Sequence, residues 1–510
     1  MLQLSNLWSF GLATVVSLAA AAPTNCLDGL CLKTRANISP LQVSQELGPL
    51  LSNASSIFGP SDSRWANATA RYQQYSAPKF TVAVQVARES DVSVIKIKYA
   101  NRNSLPFYAV NRGHGLPISQ AKFSGLEIDM QLLTGITIQS HGKSALFQGG
   151  TYDQQVMDTL WEEGYVGTTG SCGCVGMLGP ALGGGHGRQQ GFHGLISDNI
   201  LKLNVVLADG TTATVSNTSH TDLFWAMRGA GHNFGVVTSF EMSIYPIQAH
   251  SWYYKNYVFT QDKLEDLFEQ LNLLQGNGTQ PVKMAAQYGI YMMDPTVSAT
   301  EAIIWWSFGY AGSQSEAQQY LTPFDNLNPL SSTDGNVPFP EVPNVQGTGI
   351  NNATCEKGLE RMVGPAGLQV YNVTAQRQIY DLFNKNIKSY PELTASAVVM
   401  ESYSVEAVRN VDSDSSAYPL RDDYLLVQTT ISYSPNSTLD NIAIDWVTDN
   451  QKFWNEGQPT RKPTAYVNYA SGRESLEAMY GYEPWRLEKL RKLKAKYDPE
   501  GRFSYYNPIV

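Results

Sequence analysis

The sequence predicts an α+β fold with two domains, and three observations carry that expectation. The chain has 510 residues, 43% hydrophobic and 16% charged, which is enough apolar material for large cores and more than one domain of roughly 150 residues. Residues 75–247 alternate short strand signals with helical ones, punctuated by Gly-rich turns. From 248 to 460 the texture changes to long helical patterns separated by strands, and residues 461–510 form a closing segment. The balance of 36 Lys+Arg against 45 Asp+Glu leaves a net charge of −9 with no basic run, so no nucleic-acid or anionic-membrane partner is expected.

The elements follow in chain order. Leu7 to Ala22 is apolar and ends in small residues before Pro23, which predicts a secretory signal peptide over 1–21, although no Lys or Arg precedes it. The stretch is too short and Ala-rich for a membrane anchor, and no later segment could span a bilayer. Asn-x-Ser/Thr sequons follow at Asn37, Asn53, Asn67, Asn217, Asn277, Asn352, Asn372 and Asn436. A leader followed by sequons predicts a secreted, N-glycosylated, soluble chain, taken as a monomer.

Residues 22–74 read as a helical and loop lead-in. Phe80 to Val86 is a predicted strand, and Glu89 to Tyr99 a predicted helix with apolar Val92, Val94, Ile95 and Ile97. Phe107 to Val110 is a second strand, ending in the turn Asn111-Arg112-Gly113-His114-Gly115, and Gly125 to Met130 opens a further series. Leu201 to Val215 alternates around Ala208-Asp209-Gly210, a hairpin signal. Asp222 to Met227 is a short helix, followed by Gly229–Gly235 and the strand Val236 to Tyr245. In the second domain Ala302 to Phe308 and Leu425 to Tyr433 are strands, separated by the Pro/Asn/Gly-rich stretch Pro323–Asn352. Glu483 to Tyr497 is an amphipathic basic helix whose charged face is expected to be solvated.

Of the chemistry-bearing residues, the cysteines are Cys26, Cys31, Cys172, Cys174 and Cys355. In an oxidising compartment an odd count leaves at least one sulfur outside intramolecular disulfides. Cys26 and Cys31 have the spacing of a small closed loop. Cys172 and Cys174 are too close to pair comfortably and lack the second Cys/His pair of a zinc site. His141, His193, His220, His232 and His250 show no ligand spacing, so no metal is expected. The segment Gly170–Gly187 is so rich in glycine that its N–H groups can approach a ligand and form anion-holding concavities. Neither Gly183–Gly187 nor Gly229–Gly235 has dinucleotide-fingerprint spacing, and the second lies between a helix and a strand, the reverse of the Rossmann order. Gly-x-Ser-x-Gly, His-Glu-x-x-His and Walker motifs are absent from the sequence, so nicotinamide, hydrolase and NTPase readings lose their support.

With these residues in view, the chain resembles the berberine-bridge-enzyme-like FAD-linked oxidases, which have a two-domain FAD-binding PCMH-type fold of the vanillyl-alcohol-oxidase type. The resemblance covers about 75–247 and the C-terminus from Ala465 to Phe503, and is faint between. It implies an FAD-binding domain at 75–247, a substrate domain at 248–460 built on an antiparallel sheet with helices, and a segment 461–510 that returns to the FAD domain. His114 matches the histidine that bonds the flavin 8α-methyl. Cys172, in Gly170-x-Cys172-x-x-Val175-Gly176, matches the cysteine that bonds flavin C6. The resemblance also implies cofactor contacts at Arg112, Gly113, Gly115, Gly179, Gly183, Gly184, Gly185, Asp198, Asn199, Gly235, Val236 and Asn468. Arg112 stands where the family has a first Gly, which puts that loop's phosphate contact in question. Cys174 is an unusual second thiol that the C6 link could use instead; otherwise it reads as a buried small hydrophobe.

Hydride transfer to the flavin and reoxidation by O₂ to H₂O₂ is the implied reaction, and Val175 matches the position that carries valine in O₂-reactive plant members. His186 occupies the position where some relatives carry a catalytic tyrosine and is a candidate base, since an imidazole needs less tuning than a phenol, or else a structural turn histidine. Tyr466 is the other candidate base, or else a core aromatic. Gln428 matches a flavin-facing position and, having no titratable group, would orient substrate. The expected substrate is a small alcohol or natural product; carbohydrate oxidation, oxidative cyclisation and a non-catalytic secreted glycoprotein are the alternatives.

Overall fold

The computed structural model describes residues 24–27, 30–33, 39–93 and 98–510. The leader and Asn37 lie outside them, as do 94–97 of the helix expected at Glu89–Tyr99, whose described ends are the helical pieces Glu89–Asp91 and Lys98–Arg102. Thr24–Leu27 pairs antiparallel with Leu30–Lys33, with Cys26 opposite Cys31 in the backbone register.

The apolar strand Lys79–Gln85 buries Val82, Ala83 and Val84 and organises a four-stranded sheet. Ser124–Asp129 runs parallel to it and to Phe107–Val110, and Ser56–Phe58 completes the outer edge. A five-stranded antiparallel sheet follows in the order Thr212–Ser216, Ile200–Val206, Val236–Ser243, Ser144–Gln148, Ile136–Ile138. The hairpin turn lies where the alternation breaks, with Gly210 in the left-handed region at φ +83°.

The third sheet has seven antiparallel strands in the order Ser331–Val337, Trp252–Phe259, Ile303–Tyr310, Met284–Met292, Ala397–Ser402, Leu425–Tyr433, Glu360–Leu368. Its outer face is covered by the helices Leu264–Gln275, Val373–Ser389 and Asp440–Glu456, which bury Phe268, Phe383 and Trp446 in one core with Trp306, Met400 and Val427. Each such fully buried large side chain contributes about 1.5–3 kcal/mol of transfer free energy. The polar edge strand Ser331–Val337 lies within the Pro/Asn/Gly-rich stretch. Pairing with Trp252–Phe259 holds it there, because an edge strand tolerates exposed polar side chains on a backbone its neighbour satisfies.

The C-terminal helix Pro484–Tyr497 packs Leu487, Leu490 and Leu493 into the core of the five-stranded sheet, beside Phe240 and Trp225. Glu488, Arg491, Lys492 and Lys496 are exposed, as expected of a solvated charged face, but two cations of the helix are buried. Lys494 is buried and donates to Asp498 at 2.7 Å and to the carbonyls of Asn233 and Phe503. Arg486 is fully buried on the carbonyls of Ser413 and Ser416. A buried cation persists only where carboxylates and carbonyls replace its water, and both have them.

Candidate active site

A cavity of about 660 Å³ lies between the Gly-rich loops and the inner face of the seven-stranded sheet. Strand periodicity builds the sheet side: Ala397, Val399 and Glu401 alternate into it from one strand, and Gln428, Thr430 and Ser432 from the next. On the opposite wall the Arg112–Gly115 turn lines it, together with Gly170, Cys172, Val175, Gly176, Gly179, Gly235 and Val236. Gly113 has φ +72°, and a Cβ there would come 2.8 Å from the Ala70 carbonyl, so this close turn admits only glycine.

The wall leaves polar atoms unmet. Among the described residues, His114 Nε2, Arg112 Nε, Asn468 Oδ1 and Asp153 Oδ2 are buried without a partner, and all four residues line the cavity. An unmet buried polar group costs about 1–3 kcal/mol, so a cluster of donors and acceptors around one cavity marks a ligand that satisfies both kinds. FAD fits that requirement.

His114 stacks on Tyr72 with ring centroids 5.0 Å apart. Burial, followed by the charges of Lys357 and Arg361, pushes its imidazole down to about 3, so the ring is neutral and its nitrogen lone pair available. Arg112 lies with its guanidinium carbon 3.8 Å over the Tyr152 ring, a cation at the loop where the family pattern has glycine.

Cys174 is not a buried hydrophobe: it is half-buried and forms a disulfide with Cys355, leaving Cys172 as the free thiol on the loop. The sequence separation of 181 concealed the pairing. Among the described residues these three sulfurs are the one group of three potential metal ligands, and the disulfide takes two of them.

Gly183, Gly184 and Gly185 do not line the cavity; a Cβ on them would strike Asn468, Tyr418 and Ile196, so glycine here serves packing. Asp198 and Asn199 are also elsewhere. Asp198 makes a bidentate pair with Arg421 at 2.8 and 3.0 Å, both side chains about 5% exposed, and Asn199 bonds the carbonyls of His193 and Leu195. At these five positions the structure shows packing and hydrogen-bonding partners within the protein.

His186 reaches the cavity wall, but both ring nitrogens are occupied. Gln190 Oε1 accepts the Gly187 N–H and Gln190 Nε2 donates to Ser404 O, which fixes the amide orientation. His186 Nδ1 therefore donates to Gln190 Oε1 at 2.9 Å, and Nε2 accepts the Tyr418 hydroxyl at 2.6 Å. Burial pushes the imidazole down to about 4. Its lone pair is directed at Tyr418.

The Tyr466 hydroxyl accepts the Gly185 N–H at 3.1 Å and Asn468 Nδ2–H at 2.6 Å. Burial raises the phenol, with the two N–H donors opposing, so Tyr466 is protonated. Its own O–H has no protein acceptor among the described residues. Gln428 lines the sheet side with its amide likewise uncommitted.

Sequence reasoning missed the group beside them. Glu401 is buried at the cavity wall, accepting the Tyr469 hydroxyl at 2.8 Å and the Tyr403 hydroxyl at 2.5 Å, and Tyr288 in turn lies 2.5 Å from Tyr403. Burial raises the Glu401 carboxyl above the ordinary range, opposed by both tyrosines. Asp153, raised to about 8 by burial, accepts the Gly170 N–H at 3.0 Å and holds the cysteine loop. The available signal was a lone Glu401 on the otherwise apolar cavity-facing parity of its strand.

Model matches to known families fall on the same parts of the chain: an FAD binding domain over residues 80–216 and a berberine and berberine-like segment over 465–510. The chain is 92% identical over 510 residues, covering 100% of both proteins, to FAD-linked oxidoreductase anuG of Penicillium roqueforti. The BBE-like 1 structure from Physcomitrella patens superposes with a TM-score of 0.77 at 20% identity, covering 93% of this chain and 100% of that one. A glucooligosaccharide oxidase from Acremonium strictum, described with a 6-S-cysteinyl, 8α-N1-histidyl FAD, superposes at 0.76 and 18% identity, covering 92% and 98%. Identity over the full length, with both family segments meeting at one cavity, places this chain in the berberine-bridge-enzyme-like family as an FAD-dependent oxidoreductase.

Proposed function

We propose that the protein is a secreted oxidase that removes hydride from the carbinol carbon of a small, largely apolar natural product and passes the electrons to O₂. The observation that carries the reading is the Tyr469–Glu401 pair, which lines the same cavity as His114 and Cys172. His114 and Cys172 would hold FAD through its 8α and C6 positions, as that description of the glucooligosaccharide oxidase supports. When bound, FAD supplies the hydride acceptor and, with O₂, the route to H₂O₂.

The protein's own part is to take the hydroxyl proton. Tyr469 is protonated and donates to Glu401, so its oxygen can accept a substrate proton while its own moves to Oε1. A carboxyl already raised by burial is suited to holding that proton. Tyr403, with the Tyr288 hydroxyl beside it, steadies the second carboxylate oxygen. Gln428 and Tyr466 each offer an uncommitted polar group to orient the substrate. Val175, half-buried in the wall, keeps a small side chain where O₂ would approach.

The proposed substrate class rests on Ile290, Met292, Met293, Val363 and Val399, an apolar part of a sheet side that also presents Gln428, Thr430 and Ser432. Against that apolar part the hydroxyls of a sugar would go unpaired. Hydrophobic benzylic and allylic alcohols are therefore expected to show kcat/KM at least about tenfold above oligosaccharides in a peroxidase-coupled H₂O₂ assay. Preference for oligosaccharides, or a reduced flavin that stays reduced in air, would overturn the reading.

Secretion is part of the proposal, supported by the disulfide and by the exposure of Asn53, Asn67, Asn217, Asn277, Asn372 and Asn436. Among the described residues no helix is long and apolar enough to cross a membrane. Peptide N-glycosidase treatment of protein recovered from culture medium is expected to lower its mass in several steps; a single unshifted mass would remove the glycoprotein reading.

A further inference from the structure

Three sulfurs meet at the cavity wall. Cys172 Sγ lies 3.6 Å from Cys174 Sγ and 3.8 Å from Cys355 Sγ, which are bonded to each other. Near-equal distances place the thiol side-on to the disulfide, whereas exchange requires attack along the sulfur–sulfur axis. The trio therefore rests as one thiol and one bridge. Without the bridge, two further thiols would stand within 4 Å of the first, one of them on the same loop.

We propose that the Cys174–Cys355 disulfide determines which cysteine bonds the flavin, by consuming two of three clustered thiols and leaving Cys172 as the single nucleophile. The inference rests on the bicovalent reading of the cofactor. Making the C6–S bond releases the thiol hydrogen and the ring C6 hydrogen as protons, and the electron pair passes to O₂ to give H₂O₂. The disulfide is neither made nor broken, so bridge and link coexist.

The loop does not depend on the bridge for its position. Arg188 donates to Ser171 O at 2.8 Å, to Thr348 Oγ1 at 2.9 Å and to Gln346 Oε1 at 2.8 Å, and the Gly173 N–H donates to Thr348 O at 2.8 Å. These bonds tie segment 346–348 to segment 171–173, so Cys355→Ser removes a covalent constraint and leaves the loop fastened.

The test is thiol alkylation after acid denaturation, then fragment-level mass mapping of flavin and disulfides. It is applied to the full-length holoprotein, Cys355→Ser and Cys174→Ser/Cys355→Ser. The natural protein is expected to carry flavin on Cys172 and an intact Cys174–Cys355 bridge. In Cys355→Ser the Cys172-linked fraction is expected to fall at least about twofold, with flavin on Cys174 or a Cys172–Cys174 disulfide in its place. The double variant, with one thiol left, is expected to restore the Cys172 link. Full Cys172 linkage in Cys355→Ser would overturn the inference. An alkylated, flavin-free Cys172 in the natural protein would instead overturn the cofactor reading, and this inference with it.

Discussion

Tyr469→Phe is expected to lower kcat by about two to four orders of magnitude, the usual range for losing a positioned proton acceptor. The phenylalanine keeps the ring packed against Tyr466, at 5.0 Å between centroids, and removes only the oxygen that relays the proton to Glu401. Glu401→Gln should match it, because the amide can accept the Tyr469 hydrogen bond but cannot take the proton. The pair is separable from a packing defect by pH. With Glu401 raised above the ordinary carboxylate range, the natural enzyme should lose activity as pH falls through that raised value, because a protonated carboxyl has no room for the transferred proton. Glu401→Gln should lack that acid limb and stay uniformly slow. A Tyr466→Phe variant slower than Tyr469→Phe would return the base to Tyr466 and overturn the relay.

Asp198→Ala is expected to destabilise the protein by about 3–5 kcal/mol, the cost of stranding a buried guanidinium. Arg421 is about 5% exposed and would retain only the Val408 carbonyl and the Ser416 hydroxyl. Flavin content per folded molecule should be unchanged, since Asp198 lies outside the cavity. The double variant Asp198→Leu/Arg421→Met should recover much of the loss, because an apolar pair carries no desolvation penalty. Denaturant unfolding followed by tryptophan fluorescence and by bound flavin measures both effects. Loss of flavin from folded Asp198→Ala protein would restore this residue as a cofactor contact.

The positions legible in the sequence share one property: their signal is local. Phe107–Val110 and Leu425–Tyr433 have the bounds expected from the sequence, because a short run of apolar, aromatic and β-branched residues carries its strand signal in consecutive positions. His114 and Cys172 stand in glycine-rich turns that mark them before any fold is known. Gly183–Gly185, Asp198 and Asn199 have equally local patterns that do not tell what they serve, because a glycine required against Tyr418 or Ile196 reads the same as one required against a ligand. Arg486 and Lys494 misled for a related reason: carbonyls from distant segments replaced the water that a helical charge pattern predicts.

From the sequence, through its resemblance to the berberine-bridge-enzyme-like family, came the fold class, the flavin chemistry and the two residues proposed to anchor it, and short glycine-rich runs with fixed backbone requirements carry that resemblance. Only the tertiary structure decided which thiol is free, that His186 is committed to Tyr418, and that Glu401 stands behind Tyr469. Those are contacts between residues 68 to 232 positions apart, and their energy depends on distance and burial in space, which sequence spacing does not encode.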